Sequence, residues 1–136
     1  MAEKTFNAAL DQLDDVLGFV DGQLDEIACP MKSRMQVQIA VEEIFVNIAS
    51  YAYQPGTGTA DIRVETAEDP RSVTVTFKDR GVPYDPLAKE DPDISLSAED
   101  RPIGGLGIFM TKKSMDEMNY EYKDGQNILT IRKYLA

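Results

Sequence analysis

Two neighbouring stretches of strictly alternating apolar and polar residues constrain the fold of this chain most strongly. They cover residues 60–66 and 73–78, and the short segment between them contains Asp69-Pro70, a typical turn sequence. Because side chains alternate between the two faces of a strand, each stretch should have one buried and one exposed face. The pattern predicts an antiparallel hairpin with helices covering one side.

A first helix is predicted upstream of this hairpin, from residue 8 onward, with a brief edge strand at residues 4–6 before it. The apolar residues of this helix are three or four positions apart: Leu10, Leu13, Leu17 and Val20. Gly22 is expected to end or bend it, since glycine disfavours a helix interior, and residues 24–28 can add another turn or two.

A second helix is predicted from about Ser33. Ser33 and Gln36 have the spacing of a capping box, and Gln54-Pro55-Gly56-Thr57-Gly58 ends the helix. Its apolar positions are Met35, Val37, Ile39, Ala40, Val41, Ile44, Phe45 and Ile48. So broad an apolar surface predicts a helix that packs deeply against the rest of the domain.

A third helix is predicted over about residues 105–118, with a closing hairpin around Asp124-Gly125 after it. Leu106, Phe109, Met110 and Met115 are its expected inward residues. Strands grouped in hairpins, with helices collected on one side, indicate an α+β two-layer sandwich. We expect one domain over residues 1–136, because a chain of this length can bury a core of its own.

Asp79-Arg80-Gly81-Val82-Pro83 ends the second strand and opens an irregular segment, which closes on Gly104-Gly105-Leu106-Gly107. A carboxylate at a strand end can accept from an exocyclic amine, a glycine beside it leaves room for a flat ring, and a helix start can hold phosphates. A long segment without periodicity inside a compact domain is more often functional than not. These features suit a nucleotide; the alternatives are an ordinary turn and a surface insertion.

Composition excludes several kinds of site. The chain has no histidine and one cysteine, Cys29, which excludes a His-dependent triad, a His-ligated zinc site and an intrachain disulfide. The formal net charge of -10 argues against a nucleic-acid backbone as partner. No apolar run has membrane-spanning length and the N-terminus lacks a signal-peptide core, so a cytoplasmic protein is expected.

Polar residues at four positions are candidates for chemistry. Glu43 and Asn47 are one turn apart on one face of the second helix. They can hold a hydrated Mg²⁺, or Glu43 can take a proton from an attacking hydroxyl; the alternative is a pair of solvated side chains. Arg101 can reach a phosphate and Thr130 can donate a hydroxyl to a ligand, although both also suit ordinary surface or strand positions.

The order and spacing of these motifs resemble the Bergerat-fold ATPases, which include the histidine-kinase, gyrase and MutL-like ATP-binding domains. The motifs are Glu43-x-x-x-Asn47, Asp79-x-Gly81-x-Pro83, the cluster at 104–107, and Thr130. The short chain is most similar to the bacterial anti-sigma-factor serine/threonine kinases, whose Asn-x-x-x-His-Ala-Tyr stretch resembles residues 47–53. This resemblance implies a mixed, mainly antiparallel sheet with about three helices on one face.

The same resemblance implies roles for individual residues. Asn47 would coordinate Mg²⁺, and Glu43 would be the general base toward the hydroxyl of a protein substrate. Asp79 would accept from the adenine amino group, Gly81 would let the ring sit against the backbone, and Thr130 would support the adenine-side contacts. The residues expected on the phosphate side are Arg101, Gly104, Gly105 and Gly107.

Residues 84–103 would then form an ATP lid. The implied function is a Mg·ATP-dependent serine/threonine kinase that sequesters a sigma factor and phosphorylates an anti-anti-sigma antagonist. Such a protein contacts neither nucleic acid nor membrane directly, and a homodimer is possible. The sequence departs from the family pattern at Tyr51, where histidine is usual. Tyrosine cannot supply the charge of the histidine imidazole. This departure leaves open a nucleotide-gated protein-binding regulator without phosphotransfer.

Overall fold

The helices and strands form two layers in the computed structural model, which describes residues 1–53, 56–88 and 106–135. The strands are β1 (Ala2–Asn7), β2 (Thr59–Ala67), β3 (Ser72–Asp79), β4 (Glu117–Lys123) and β5 (Gln126–Tyr134). The α-helices are α1 (Leu13–Glu26), α2 (Met31–Asn47) and α3 (Leu106–Ser114). Short 3-10 turns lie at Leu10–Gln12 and Pro86–Ala88, and a π-helical turn at Ile48–Ala52 follows α2. This arrangement confirms the predicted α+β fold class.

The sheet has the strand order β1-β2-β3-β5-β4. Every pairing within the described residues is antiparallel, so the mixed sheet implied by the resemblance is not seen there. The predicted central hairpin is β2-β3, and the predicted edge strand is β1. Asp124 and Gly125 both have positive φ, at 55° and 75°, as a two-residue hairpin turn between β4 and β5 requires.

The first helix has the predicted residues Leu13, Leu17 and Val20 on its core side, but it differs from its prediction at Leu10 and in length. Leu10 is 58% exposed, and the fully buried residues of α1 are Val16, Val20 and Leu24. The helix also continues through Gly22 to Glu26. Glycine in an exposed helix interior costs only about 1 kcal/mol, whereas burying one leucine gains about 1.5–3 kcal/mol. The free energy gained by burying Leu24 therefore exceeds the cost of keeping Gly22 in the helix.

The second helix begins earlier than predicted and exposes part of its apolar surface. It starts at Met31, directly after Pro30, and no side chain caps it, so the predicted capping box at Ser33 is wrong. Met35 and Ile39 are 57% and 59% exposed. The buried residues of α2 are Val37, Ala40, Val41, Ile44 and Phe45. Because the helices form a single layer, α2 is covered on one side only, and its outer apolar residues are exposed to solvent.

The third helix is shorter than predicted, because β4 begins at Glu117. Met115 is buried as predicted, whereas Met110 is 56% exposed. Met118 and Tyr120 pack against the core from β4 with the two-residue period of a strand. Among the described residues, none of the helices has both the length and the apolar character needed to cross a bilayer.

Candidate functional site

A cleft opens between α2, its π-helical extension, and the ends of β3 and β5. The space in it that protein atoms do not fill is about 480 Å³, a volume that includes open solvent, so the cleft is a partly open groove. Its walls are mainly apolar, with Ile44, Phe77 and Leu129 among them. Two of the predicted site residues, Asn47 and Asp79, line this cleft.

Asp79 is the last residue of β3 and is only 6% exposed. Its Oδ1 accepts hydrogen bonds from the backbone N–H of Gly81 and from Nδ2 of Asn127, each at 2.9 Å. Its Oδ2 accepts no hydrogen bond from the described residues. A carboxylate oxygen without a partner, at the edge of an apolar cleft, is an acceptor available to a ligand.

Asn127 is a buried member of this site that the sequence did not reveal. It lies directly opposite Asp79 in β5 and is 6% exposed. Besides its bond to Asp79, its Nδ2 donates to the carbonyl of Val82 at 3.0 Å. Its Oδ1 accepts from the backbone N–H of Tyr84 at 3.1 Å and from the hydroxyl of Tyr120. Only the register between β3 and β5 identifies this residue, since in sequence it simply follows a hairpin turn.

Tyr120 supplies a hydroxyl that is held in its neutral form. Burial raises the pKa of Tyr120, and the nearby carboxylates Asp85 and Asp79 act in the same direction, against a hydrogen bond with the Tyr84 backbone that lowers it. The hydroxyl therefore remains a proton donor to Asn127 at neutral pH.

The structure does not bring Thr130 to the cleft. Thr130 lies opposite Thr76, and its neighbours Leu129 and Ile131 are the residues buried in the core. Because strand side chains alternate, Thr130 faces the side of the sheet away from the helices. Thr130 is therefore not placed for the adenine-side contacts that the resemblance implies, and Asn127 is the β5 residue that lies in the cleft beside Asp79.

The glycine at position 81 also has a different structural reason from the predicted one. A Cβ at Gly81 would lie 2.1 Å from the backbone oxygen of Ala52. The same oxygen accepts a hydrogen bond from the N–H of Val82 at 2.8 Å. Gly81 therefore lets the segment after β3 pack against the turn that follows α2.

Glu43, Asn47 and Gly107 come together at the start of α3. Nδ2 of Asn47 donates to Oε1 of Glu43 at 3.4 Å. A Cβ at Gly107 would lie 2.1 Å from both Cδ and Oε1 of Glu43, so the carboxylate rests against the first turn of α3. Free N–H groups at a helix start favour negative charge, which suits both this carboxylate and a phosphate.

Several predicted residues lie outside the described part of the chain. Residues 84–88 of the predicted lid are described, whereas Arg101, Gly104 and Gly105 are not. At the described end, the backbone N–H of Leu87 donates to Oδ1 of Asp85 at 2.8 Å. Tyr51, at which the sequence departs from the pattern that it resembles, lines the cleft and is 64% exposed.

A metal at this site would depend on few protein ligands. The described residues contain no cluster of three or more His, Cys, Asp or Glu side chains able to hold a metal ion. Asn47 directs its amide nitrogen at Glu43, which leaves its amide oxygen for another partner. One amide oxygen fits Mg²⁺, because this ion usually keeps several waters and takes further ligands from phosphate.

Comparisons with known proteins identify the family of this chain. The family model described as "Histidine kinase-like ATPase domain" matches residues 6–133. The chain is similar to the serine/threonine-protein kinase BtrW of Bordetella bronchiseptica, at 30% identity over 103 residues that cover 76% of this chain and 72% of that protein. It is also similar to the serine-protein kinase RsbW of Bacillus cereus, at 31% identity over 103 residues that cover 73% of this chain and 62% of that protein.

A solved structure shows the same fold. The crystal structure of the RsbU and RsbW domains of a Mycobacterium tuberculosis protein matches 99% of this chain and 33% of that chain, with a TM-score of 0.66 and 15% identity. At this low sequence identity the match shows similarity of the fold alone. Because the family model spans nearly the whole chain and this fold agrees with it, the chain belongs to the family of histidine kinase-like ATPase domains.

Proposed function

We propose that this chain is a Mg·ATP-dependent protein serine/threonine kinase and that its cleft binds ATP. One observation carries the proposal: Asp79 and Asn47 line the same cleft, and Glu43 lies beside Asn47 against the first turn of α3. An acceptor for a base, an oxygen ligand for a metal and a carboxylate for a proton are thereby assembled in one region.

Asp79 would recognise the base by a hydrogen bond. Its free Oδ2 can accept from the exocyclic amine of adenine, while Phe77 and Leu129 contribute apolar surface for the ring. Guanine carries a carbonyl oxygen at the corresponding ring position, which would set an acceptor against an acceptor. We therefore expect ATP to bind more tightly than GTP.

The start of α3 would receive the phosphates. Its first backbone N–H groups have no partner within the helix, and Gly107 brings this turn close to α2. The amide oxygen of Asn47 would serve as a ligand of Mg²⁺, which when bound neutralises phosphate charge. Arg101, Gly104 and Gly105 remain proposed phosphate contacts, and residues 84–103 the proposed lid.

Glu43 would be the general base. The hydroxyl oxygen of a substrate serine or threonine would bond to the γ-phosphorus while the bond to the bridging oxygen breaks and ADP leaves. The hydroxyl proton would pass to the carboxylate of Glu43, which Asn47 orients through its amide N–H. Because five buried residues anchor α2 in the core, the backbone that carries this carboxylate is held in place before substrate arrives.

The similarity to BtrW and RsbW supports a protein as the phosphate acceptor. We propose a small anti-anti-sigma antagonist as the substrate and a sigma factor as the sequestered partner, in the cytoplasm, with a homodimer as a possible assembly. The net charge of -10 is compatible with a basic surface on a partner.

Transfer of label from [γ-³²P]ATP to a candidate antagonist tests this proposal. Wild type with Mg²⁺ should label the antagonist on serine or threonine, and Glu43→Gln should abolish labelling while nucleotide binding persists. Glu42→Gln is the matched control, because Glu42 is the adjacent, exposed carboxylate on α2 and should transfer normally. Equal transfer by Glu43→Gln and wild type would remove Glu43 from the role.

A second function remains a candidate because of Tyr51. This residue occupies the cleft position where the family has histidine, and it is 64% exposed. The alternative is a nucleotide-gated regulator that binds ATP and a protein partner without transferring phosphate. Nucleotide binding in the absence of any labelled antagonist would favour this regulator over the kinase.

A further inference from the structure

We propose that Asn127 is a positioning residue that sets the base selectivity of the cleft. This inference rests on the proposed function, because it concerns how the same cleft distinguishes adenine from guanine. It assigns a role to a buried residue of β5 through its action on Asp79.

The first step concerns the hydrogen bonds of Asp79. Oδ1 of Asp79 accepts from Asn127 and from the N–H of Gly81, both at 2.9 Å. These two donors fill the acceptor positions of Oδ1 and fix the plane of the carboxylate. Oδ2 is consequently the oxygen that remains for a ligand, and its direction is set by Asn127.

The second step concerns Asn127 itself. Its two amide hydrogens are directed at Asp79 and at the carbonyl of Val82, 2.9 Å and 3.0 Å away. Its oxygen already accepts from Tyr84 and Tyr120. An amide has two donors and one oxygen with two acceptor positions, so Asn127 is fully used inside the protein. It offers no donor of its own that could satisfy a guanine carbonyl.

The third step is the consequence for the base. With Asn127 in place, this wall of the cleft presents an acceptor and no side-chain amide donor, so a base with an amine at the ring position facing Oδ2 is accepted and a base with a carbonyl at that position is rejected. Sites built around a polar group discriminate strongly, because the wrong ligand leaves a buried group unpaired. The same side chain also ties Val82 and Tyr84 to the sheet, so the acceptor and the segment after β3 are held by one residue.

Dissociation constants for ATP and GTP, measured by calorimetry on the full chain with Mg²⁺, test this role. Asn127→Leu has a similar volume and no hydrogen bonds. It should weaken ATP binding about 10- to 100-fold, as expected for lost bonds to a charged group, and GTP binding less. The ratio of GTP to ATP dissociation constants should therefore fall about tenfold or more.

Two further variants complete the experiment. Asn127→Asp keeps the shape but places two carboxylates in contact; such a pair takes up one proton, and with that proton on Oδ2 of Asp79 the ligand-facing oxygen becomes an O–H that can donate to a guanine carbonyl. This variant should shift the ratio toward GTP even if Asn127→Leu does not fold. Asn119→Leu is the control, because Asn119 is an exposed amide on the neighbouring strand β4 and should retain the wild-type ratio.

The outcomes separate the two proposals. An unchanged ratio in Asn127→Leu and Asn127→Asp, with wild type still preferring ATP, would overturn the role of Asn127 and leave the proposed function standing. An equal increase of the dissociation constants for ATP and GTP would show that Asn127 is purely structural, and it would also overturn the proposed role in selectivity. Failure of wild type to bind any nucleotide would instead refute the proposed function.

Discussion

Substituting Gly107 by alanine should separate stability from catalysis. A new Cβ would lie 2.1 Å from Cδ and Oε1 of Glu43 and 2.4 Å from Oε2, whereas ordinary contact begins near 3.4 Å. The carboxylate must therefore retreat by about 1 Å or more, and misplacement of a catalytic group by about 1 Å can cost about 100-fold in rate. We expect phosphate transfer by Gly107→Ala to fall by about that factor.

The stability of the same variant should not fall with it. The atoms that a Cβ meets are the far end of one flexible side chain, which can move at low cost. Alanine is also favoured over glycine inside a helix by about 0.5–1 kcal/mol. The melting temperature should therefore stay constant or rise by a few degrees.

The assay is the initial rate of transfer from [γ-³²P]ATP to an antagonist, paired with thermal unfolding of each variant. Gly18→Ala is the control, since a Cβ at this exposed position in α1 meets no atom within 4 Å. It should gain similar stability and keep full activity. Full transfer by Gly107→Ala would refute the placement of Glu43 as base, and a large loss of stability would refute the claim that only a flexible side chain is displaced.

Two other substitutions have defined outcomes. Gly81→Ala should lower the free energy of unfolding by about 1–3 kcal/mol in denaturant titration, because its Cβ would meet the rigid backbone of Ala52 at 2.1 Å; an unchanged midpoint would contradict this packing. The hydrogen bond from the Tyr134 hydroxyl, and then the charge of the Arg132 guanidinium, lower the pKa of Glu117. The stabilisation from these contacts is therefore fully present above the usual carboxyl pKa of 4.5 and is lost as the pH falls through the lowered pKa. Tyr134→Phe should raise that pKa in an NMR titration, and an unchanged titration would exclude the hydroxyl as a cause.

Much of the fold follows from local patterns in the sequence. The alternation in 60–66 and 73–78 predicts β2 and β3, and Asp124-Gly125 predicts the last hairpin, because both signals depend on neighbouring residues alone. The pairing of Glu43 with Asn47 follows similarly from the helical repeat.

Features that depend on distant pairing could not be predicted. Asn127 faces Asp79 across 48 positions of sequence, and only the register of β3 on β5 brings them together. A shift of one residue reverses every side chain of a strand, and the sequence alone does not show which face of β5 carries Thr130. The spacing of the motifs predicts the strand but not which of its side chains face the helices.

The sequence pattern also does not show which apolar residues of the helices are exposed to solvent. Met35 and Ile39 look like core residues, yet they are more than half exposed, since no second layer covers that side of α2 in the described residues. The close contact of Gly81 with Ala52 is likewise absent from any local pattern, because the two residues are far apart in sequence. In each case the deciding contact is tertiary.

Nucleotide-dependent thermal stabilisation, compared between wild type and Asp79→Asn, tests the central claim most directly. The amide oxygen of an asparagine can still accept from Gly81 and Asn127, while its nitrogen replaces the free Oδ2 and sets a donor against the adenine amine. ATP with Mg²⁺ at about 100 times its dissociation constant should stabilise wild type by about 2.7 kcal/mol, and Asp79→Asn should lose most of that gain. An equal shift in both proteins, or no shift of wild type with any adenine nucleotide, would contradict the assignment of this cleft.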